Sequence, residues 1–245
     1  MKKILLATDL DNTLIHSYKH KISTDICVEY IDNKEQSFMT NYTYKKLSVL
    51  SKTVDIIPIT SRTIAQYNRI KFPDNCINKA ITTNGVFLLE NEQVTSILTD
   101  ENIQYDDLCY LKDMIKKESK VKVVNLADNM YLYVSCETIL DAQYIANKYY
   151  YKTIINPIIS GRKVYFIPEY YSKGKALQKL MKNYDLTIAA GDSELDVSML
   201  NTANIAIIPK NLINKVNNSH THVCNNMNFS NFIIDILMTI LFTTV

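Results

Sequence analysis

Asp9-Leu10-Asp11-Asn12-Thr13 follows directly on the apolar run Ile4-Leu5-Leu6-Ala7, and that junction decides the fold. A short continuous apolar run suits a strand buried on both faces, as in a parallel sheet. Ligands of such sheets bind off the carboxyl ends of the strands, so the two acids stand where a site forms. The pattern recurs along the chain. Val54 to Ile59 runs into Thr60-Ser61-Arg62-Thr63, and Leu186 to Ala190 runs into Gly191-Asp192; Ala80 to Thr83 and Asn204 to Ile208 are similar runs. Helical patterns lie between them, at Tyr42 to Ser51, Lys173 to Tyr184 and Glu194 to Leu200. Alternating strand and helix predicts an α/β fold, a Rossmann-like three-layer α/β/α core around a parallel sheet. Pro58 argues against its own strand being central, because it cannot donate to the ladder.

The middle third reads differently. Val86 to Glu90 and Gln93 to Leu98 form a hairpin pattern around Asn91-Glu92. Helical stretches at Tyr105 to Lys117 and Leu140 to Tyr150 then alternate with strand patterns at Val121 to Leu126, Met130 to Ser135, Thr153 to Ile159 and Lys163 to Ile167. The last pair turns at Ser160-Gly161. This predicts an inserted α+β cap over residues 86–169, with the core built from 1–85 and 170–245. A smaller hairpin, Ile26 to Thr40, turns at Asp32-Asn33.

The 245 residues are 47% hydrophobic and 21% charged, which excludes disorder as the main state. Basic and acidic residues nearly balance, 27 against 25, so no electrostatic footprint favours a nucleic-acid partner. The five cysteines are scattered without a CxxC pair, which fits buried thiols in a reducing, cytoplasmic setting. The apolar end, Asn231 to Val245, is too short to span a membrane and carries Asn231, Asp235, Thr239 and Thr243 in one stripe. It reads as a terminal helix docked on the core. His220, His222 and Cys224 alternate, the pattern of a strand edge or, with further ligands, a metal site.

Only four glycines occur, where average usage of about 7% would give roughly 17. Three stand beside polar residues at strand ends or a helix start: Asn84-Gly85, Lys173-Gly174 and Gly191-Asp192. Such placement serves close backbone approach to a ligand. Asp9 and Asp11 at a strand end repel each other unless a cation or shared proton intervenes, and they also permit a nucleophile and a general acid/base. A plain turn motif would use the same residue types. Asp192 and Asp196 add two acids, either for a site or as a helix-start signature. Thr60, Ser61 and Arg62 can cradle a phosphoryl group or cap a helix. Lys173, at a helix start where the dipole repels cations, calls for an anion nearby. Tyr170-Tyr171 offers a stacking surface or packing, and Arg162 and Lys163, at a turn of the insert, either reach over the core site or form a solvated hairpin tip, the reading favoured here.

Taken in order, Asp9-Leu10-Asp11-Asn12-Thr13, Thr60-Ser61-Arg62, Lys173-Gly174-Lys175 and Gly191-Asp192-Ser193-Glu194-Leu195-Asp196 resemble the four motifs of the haloacid dehalogenase superfamily. The long insert resembles the cap of its Cof-type and sucrose-phosphatase-like branch. The resemblance covers essentially the whole chain. It implies a Mg2+-dependent phosphatase acting on a small phosphorylated metabolite, of the sugar-phosphate type. Asp9 would be the nucleophile and Asp11 the general acid/base. Asp9, the Asp11 carbonyl and Asp192 would hold Mg2+. Thr60, Ser61 and Lys173 would bind the phosphoryl oxygens, with Asp196 supporting Lys173 and with Arg62 and Asn84 near the substrate. Leu195 and Ser61 depart from the Cof-type pattern towards the sucrose- and mannosylglycerate-phosphatase style. The alternatives are a phosphomutase of the phosphomannomutase type and a non-catalytic phospho-receiver or binding protein. A receiver needs about half this length. The expected partner is a small phosphate ester, without nucleic acid or membrane, for a monomer or homodimer.

Overall fold

The computed structural model of the chain describes residues 2–99, 105–150, 155, 157–225 and 227–244. Strand β1 (Ile4–Thr8) leads into a tight turn in which the amides of Thr13, Leu14 and Ile15 all return to the Leu10 carbonyl. A small antiparallel sheet follows, of β2 (His16–Ser17), β3 (Ile26–Ile31) and β4 (Lys34–Met39), in the order β2-β4-β3. Its hairpin turns where the sequence predicts, with Asp32 and Asn33 both at positive φ (50° and 61°), as a two-residue turn of this twist requires. Then come α1 (Asn41–Leu50), β5 (Asp55–Pro58), α2 (Ile64–Tyr67), β6 (Lys79–Thr82), β7 (Phe87–Glu90) and β8 (Gln93–Ser96). The middle of the chain supplies α3 (Tyr105–Ile115), β9 (Val121–Ala127), β10 (Tyr131–Cys136), α4 (Ile139–Tyr150), β11 (Pro157–Ser160) and β12 (Lys163–Phe166). The last part contains α5 (Lys173–Met181), β13 (Leu186–Ala190), α6 (Val197–Thr202), β14 (Ile205–Pro209), β15 (Thr221–Cys224) and α7 (Phe229–Thr244).

Five of these strands form a parallel sheet in the order β15-β14-β13-β1-β5. Both faces are covered, and alternate residues serve opposite layers. Leu5, Ala7 and Ala189 pack with Ala176 and Leu177 of α5 and Met199 and Leu200 of α6. Ile4, Leu6 and Ile188 pack with Leu47 and Leu50 of α1 and Ile233 and Leu237 of α7. The result is the expected three-layer core. The polar stripe of α7 meets α1: Asn231 accepts from Thr40 Oγ1 (2.6 Å), and Asp235 from the Tyr42 hydroxyl (2.6 Å). None of the described helices is long and apolar enough to cross a membrane.

Two expectations need correction. Pro58 is tolerated because β5 is the last strand of its sheet; Ile59 N donates to Thr8 O at 2.8 Å, so the Pro58 nitrogen faces the unpaired side. The run Ala80 to Thr83 does not extend the parallel sheet. As β6 it pairs antiparallel with β7, and only an Ile59–Ile81 bridge joins it to the core. The β7–β8 hairpin, with Asn91 and Glu92 at positive φ, belongs to that same three-stranded sheet.

The remaining insert is a four-stranded antiparallel sheet, β11-β12-β10-β9, backed by α3 and α4. Of the predicted strand Thr153 to Ile159, residues 153, 154 and 156 lie outside the described residues. The period of two sorts its faces. Leu132, Val134, Val164 and Phe166 enter the core beneath the helices, whereas Tyr131, Tyr133, Ser135, Lys163 and Tyr165 face a cleft above the parallel sheet.

Candidate active site

The cleft is a cavity of about 650 Å³ between this sheet, the β2–β4 hairpin and the carboxyl ends of β1, β5 and β13, of a size that takes a small metabolite. Strand order places β1 at its centre, between β5 and β13, where the chain switches direction across the sheet. Asp9 N donates to Ala190 O at 2.8 Å, which fixes the first motif against the fourth.

Lys173 organises the floor. Its ammonium is only 1% exposed and bonds Asp9 Oδ1 at 2.5 Å and Asp196 Oδ1 at 2.6 Å. Ser172 caps α5 by accepting from Lys175 N at 3.2 Å, which holds Lys173 at the first turn. The anion that a lysine at a helix start calls for is thus a pair of carboxylates. Burial alone would lower the Lys173 pKa, but the charges of Asp196 and Asp9 outweigh it and hold it well above the usual lysine range.

Asp196 Oδ2 accepts from Ser193 N (2.9 Å), Ser193 Oγ (2.8 Å) and Asp192 N (3.2 Å). Its carboxylate is therefore spent on Lys173 and on its own loop. Close approach of Gly191 makes this loop possible: a Cβ there would stand 2.4 Å from Asp196 Cβ. Asp192 lines the cavity and accepts from Thr13 Oγ1 at 3.2 Å. Burial, then the neighbouring Asp196, push its pKa up to about 7. Asp9 is likewise raised, first by burial and then by Asp196, Asp192 and Asp11, with Lys173 only partly offsetting them.

Asp11 differs. Half of its side chain is open to the cavity, and Arg62 grips both oxygens, Nε to Oδ2 and Nη2 to Oδ1, each at 2.8 Å. Desolvation in the cleft pulls its pKa up, but the Arg62 hydrogen bonds and charge override this and hold the carboxyl below its ordinary value. Arg62 in turn bonds the buried Glu29 of β3 (2.9 and 3.0 Å), which also takes Arg69 and the Ser37 hydroxyl.

Oxygen atoms of Asp9, Asp192 and Asp196 lie within 4.8 Å of one another. With Asp11 matched by Arg62, three carboxylates face one lysine charge, so two negative charges remain uncompensated. Carboxylate oxygens at that spacing are a donor set that suits a hard divalent ion such as Mg2+.

Thr60 is fully buried at the end of β5, and its hydroxyl accepts from Arg62 N at 3.1 Å; Ser61 lines the cavity. Asn84 is not brought to the cavity wall. It is buried at φ 55°, its amide donates to Tyr171 O at 2.9 Å, and its carbonyl oxygen has no partner among the described residues. Tyr171 is buried packing, and β15, which holds His222 and Cys224 with His220 just before it, is the sheet's edge strand. Sequence reasoning missed Glu29, Ser37 and Arg69, whose available signal was an acid inside the apolar start of β3. It also missed the seam above the second motif, where Asp128 accepts from Ile64 N (3.0 Å) and Thr83 Oγ1, and Tyr131 donates to Ser61 O.

Comparison with known proteins agrees with this geometry. Residues 146–237 match the family model of haloacid dehalogenase-like hydrolases. No curated protein sequence matches significantly. Among solved structures, the C-terminal domain of Candida albicans trehalose-6-phosphate phosphatase is similar, with TM-score 0.70 and 11% identity over 97% of this chain and 91% of that one. The sucrose-phosphatase of Synechocystis sp. PCC6803, solved with sucrose and phosphate, has TM-score 0.66 and 15% identity, over 97% and 98% of the two chains. Aspergillus fumigatus trehalose-6-phosphate phosphatase has TM-score 0.56 and 10% identity, over 97% and 93%. Residues 146–237 are thus similar to haloacid dehalogenase-like hydrolases, and the chain as a whole shares the fold of these solved structures.

Proposed function

We propose that this haloacid dehalogenase-like chain is a Mg2+-dependent phosphatase that hydrolyses a small phosphate ester, of the sugar-phosphate type, through an aspartyl-phosphate at Asp9. The observation that carries the reading is the convergence of Asp9 and Asp11, Lys173, and Asp192 on one cavity, from three separate motifs at the ends of β1 and β13 and the start of α5.

In the first half-reaction an Asp9 oxygen forms a bond to phosphorus while the bond from phosphorus to the leaving oxygen breaks, and Asp11 gives that oxygen its proton. In the second half-reaction Asp11 takes a proton from water, which attacks the aspartyl-phosphate and releases inorganic phosphate. Arg62 on both Asp11 oxygens favours the ionised carboxylate, the state needed for the second half; for the first half Asp11 must hold the proton it took from water in the preceding turnover, so one of its oxygens must leave Arg62 when substrate binds. Lys173 neutralises charge at the attacking carboxylate and on the phosphoryl oxygens, and Asp196 positions Lys173. The Thr60 hydroxyl and the Ser61 edge of the cleft are the phosphoryl-binding groups of the second motif. When bound, Mg2+ offsets the repulsion between Asp9 and Asp192 and stabilises charge developing on the transferring group. The insert of β9–β12 with α3 and α4, narrower than the 86–169 expected from sequence because β7 and β8 join the β6 sheet, acts as the cap that excludes bulk water. The five thiols are free, which supports a reducing, cytoplasmic setting.

The test is phosphate release from a panel of sugar phosphates and nucleotides, by wild type and Asp9→Asn, with Mg2+ or with EDTA. Release that requires both Asp9 and Mg2+ supports the reading. Release undiminished in Asp9→Asn overturns it, and transfer between two positions of one sugar without release identifies a mutase.

A further inference from the structure

The chain holds 24 lysines and three arginines, and all three arginines (Arg62, Arg69 and Arg162) line the cavity above Asp9. A chain that uses lysine nearly everywhere else keeps arginine where a planar, two-pronged donor matters. Arg62 and Arg69 are committed to carboxylates of the protein, as is Lys173. Arg162 and its neighbour Lys163 are different: among the described residues neither side chain has an acidic partner. They stand at the exposed hairpin turn that the sequence predicts, and that turn is held over the cavity. Cys136 N donates to Arg162 O at 2.9 Å, and Lys163 pairs with Ser160 and Ser135 across the sheet. β11 packs against the Glu194–Asp196 turn of the fourth motif, which fixes the hairpin above the catalytic floor. Gly161, at φ 56°, has no heavy atom within 4 Å of where a Cβ would stand, which leaves the approach open. Arg162 and Lys163 line the same cavity as Asp11, the residue assigned to the leaving oxygen.

We infer that Arg162, with Lys163 beside it, binds an anionic group on the leaving alcohol, so that the preferred substrate is a phosphomonoester bearing a second acid, a carboxylate or a further phosphate. This rests on the phosphatase reading above and narrows its substrate class. An exposed pair of cations that the fold leaves unmatched is complementary to an anion that arrives with the substrate, and a guanidinium takes either acid through two parallel hydrogen bonds.

The experiment compares matched phosphate esters: phosphoglycerate against glycerol phosphate for the carboxylate, and a hexose bisphosphate against a hexose monophosphate for the second phosphate. In wild type the acidic member of at least one pair has the higher kcat/KM, and which pair responds identifies the acid. In Arg162→Ala the acidic-to-neutral ratio of kcat/KM falls about 10- to 100-fold, the worth of a hydrogen bond to a charged group, with the change mainly in KM. Arg162→Lys recovers only part of the ratio; full recovery would contradict two-pronged binding. Thermal shifts of Asp9→Asn with the same four esters supply a readout without turnover. A larger shift for the acidic member that disappears in Asp9→Asn/Arg162→Ala supports the inference even if turnover is absent, an outcome in which only the phosphatase reading fails. Ratios and shifts indifferent to Arg162 overturn the inference while leaving the phosphatase reading intact.

Discussion

Gly191→Ala is the smallest change that tests whether Asp196 positions the catalytic lysine. The φ of Gly191 is not in the left-handed region, so alanine suits the backbone and the cost is steric. A Cβ would lie 2.4 Å from Asp196 Cβ and 2.6 Å from Asp196 Cγ. Ordinary contact begins at 3.4 Å, so the two segments must part by about 1.0 Å (3.4 − 2.4). Because the nearest atom is Asp196 Cβ, no rotamer change relieves the overlap; the loop itself must move. Overpacking of this kind costs about 1–3 kcal/mol, offset by about 0.4–1 kcal/mol from the stiffer unfolded chain. A net loss of about 1–2 kcal/mol lowers Tm by about 2–8 °C in a chain of this size. Catalysis suffers more, because Asp196 carries Lys173 with it and a misplacement near 1 Å costs about a hundredfold in kcat. Thermal melting followed by circular dichroism, and phosphate release from p-nitrophenyl phosphate at saturating Mg2+, read the two effects. A melting temperature and a kcat both within error of wild type would refute the positioning role.

Three further outcomes are expected. Lys173→Met leaves two buried carboxylates facing each other, so it destabilises the metal-free protein by about 3–5 kcal/mol; denaturant titration showing a loss below about 1 kcal/mol would contradict the burial of that charge cluster. Glu29→Gln removes one of the two carboxylates on Arg62 and the partner of Arg69, and costs about 1–3 kcal/mol at neutral pH. Burial raises the Glu29 pKa, yet the Arg62 and Ser37 hydrogen bonds hold it below its ordinary 4.5; wild type therefore keeps its advantage above that pH and loses it as pH falls through the folded value, which melting curves of both proteins from pH 7 to pH 3 would trace. Asp192, raised to about 7 in the metal-free protein, binds a proton that Mg2+ must displace, so calorimetry gives tighter Mg2+ binding at pH 8 than at pH 6; equal affinities would remove Asp192 from the metal site.

The core was readable because β1, β5 and β13 are short apolar runs whose carboxyl ends carry acids or hydroxyls, a local pattern that burial on both faces enforces. Motif order then located Asp9, Asp11, Ser61, Lys173 and Asp192 on one cavity, whereas Thr60 is buried beneath its wall. What stayed hidden depends on contacts across the fold. The Ala80–Thr83 run has the composition of a parallel strand, and only its antiparallel partner Phe87–Glu90 decides otherwise. Asn84 stands next to a glycine in a manner that suggests a ligand, yet its strained backbone and amide serve the loop beneath Tyr171. Glu29 joins the site from a hairpin that spacing cannot connect to Arg62, 33 residues later. Arg162 and Lys163 are the solvent-facing turn residues that the sequence suggests, and only β11 packed against the fourth motif shows that this turn also lines the cavity.

The central claim is a covalent phosphoryl group on Asp9. Rapid acid quenching during turnover, followed by borohydride reduction and peptide mass spectrometry, converts an aspartyl-phosphate into homoserine at the labelled position. The account predicts homoserine at position 9, dependent on substrate and Mg2+ and absent from Asp9→Asn. Turnover with no homoserine at position 9, or with the label on another residue, would contradict it.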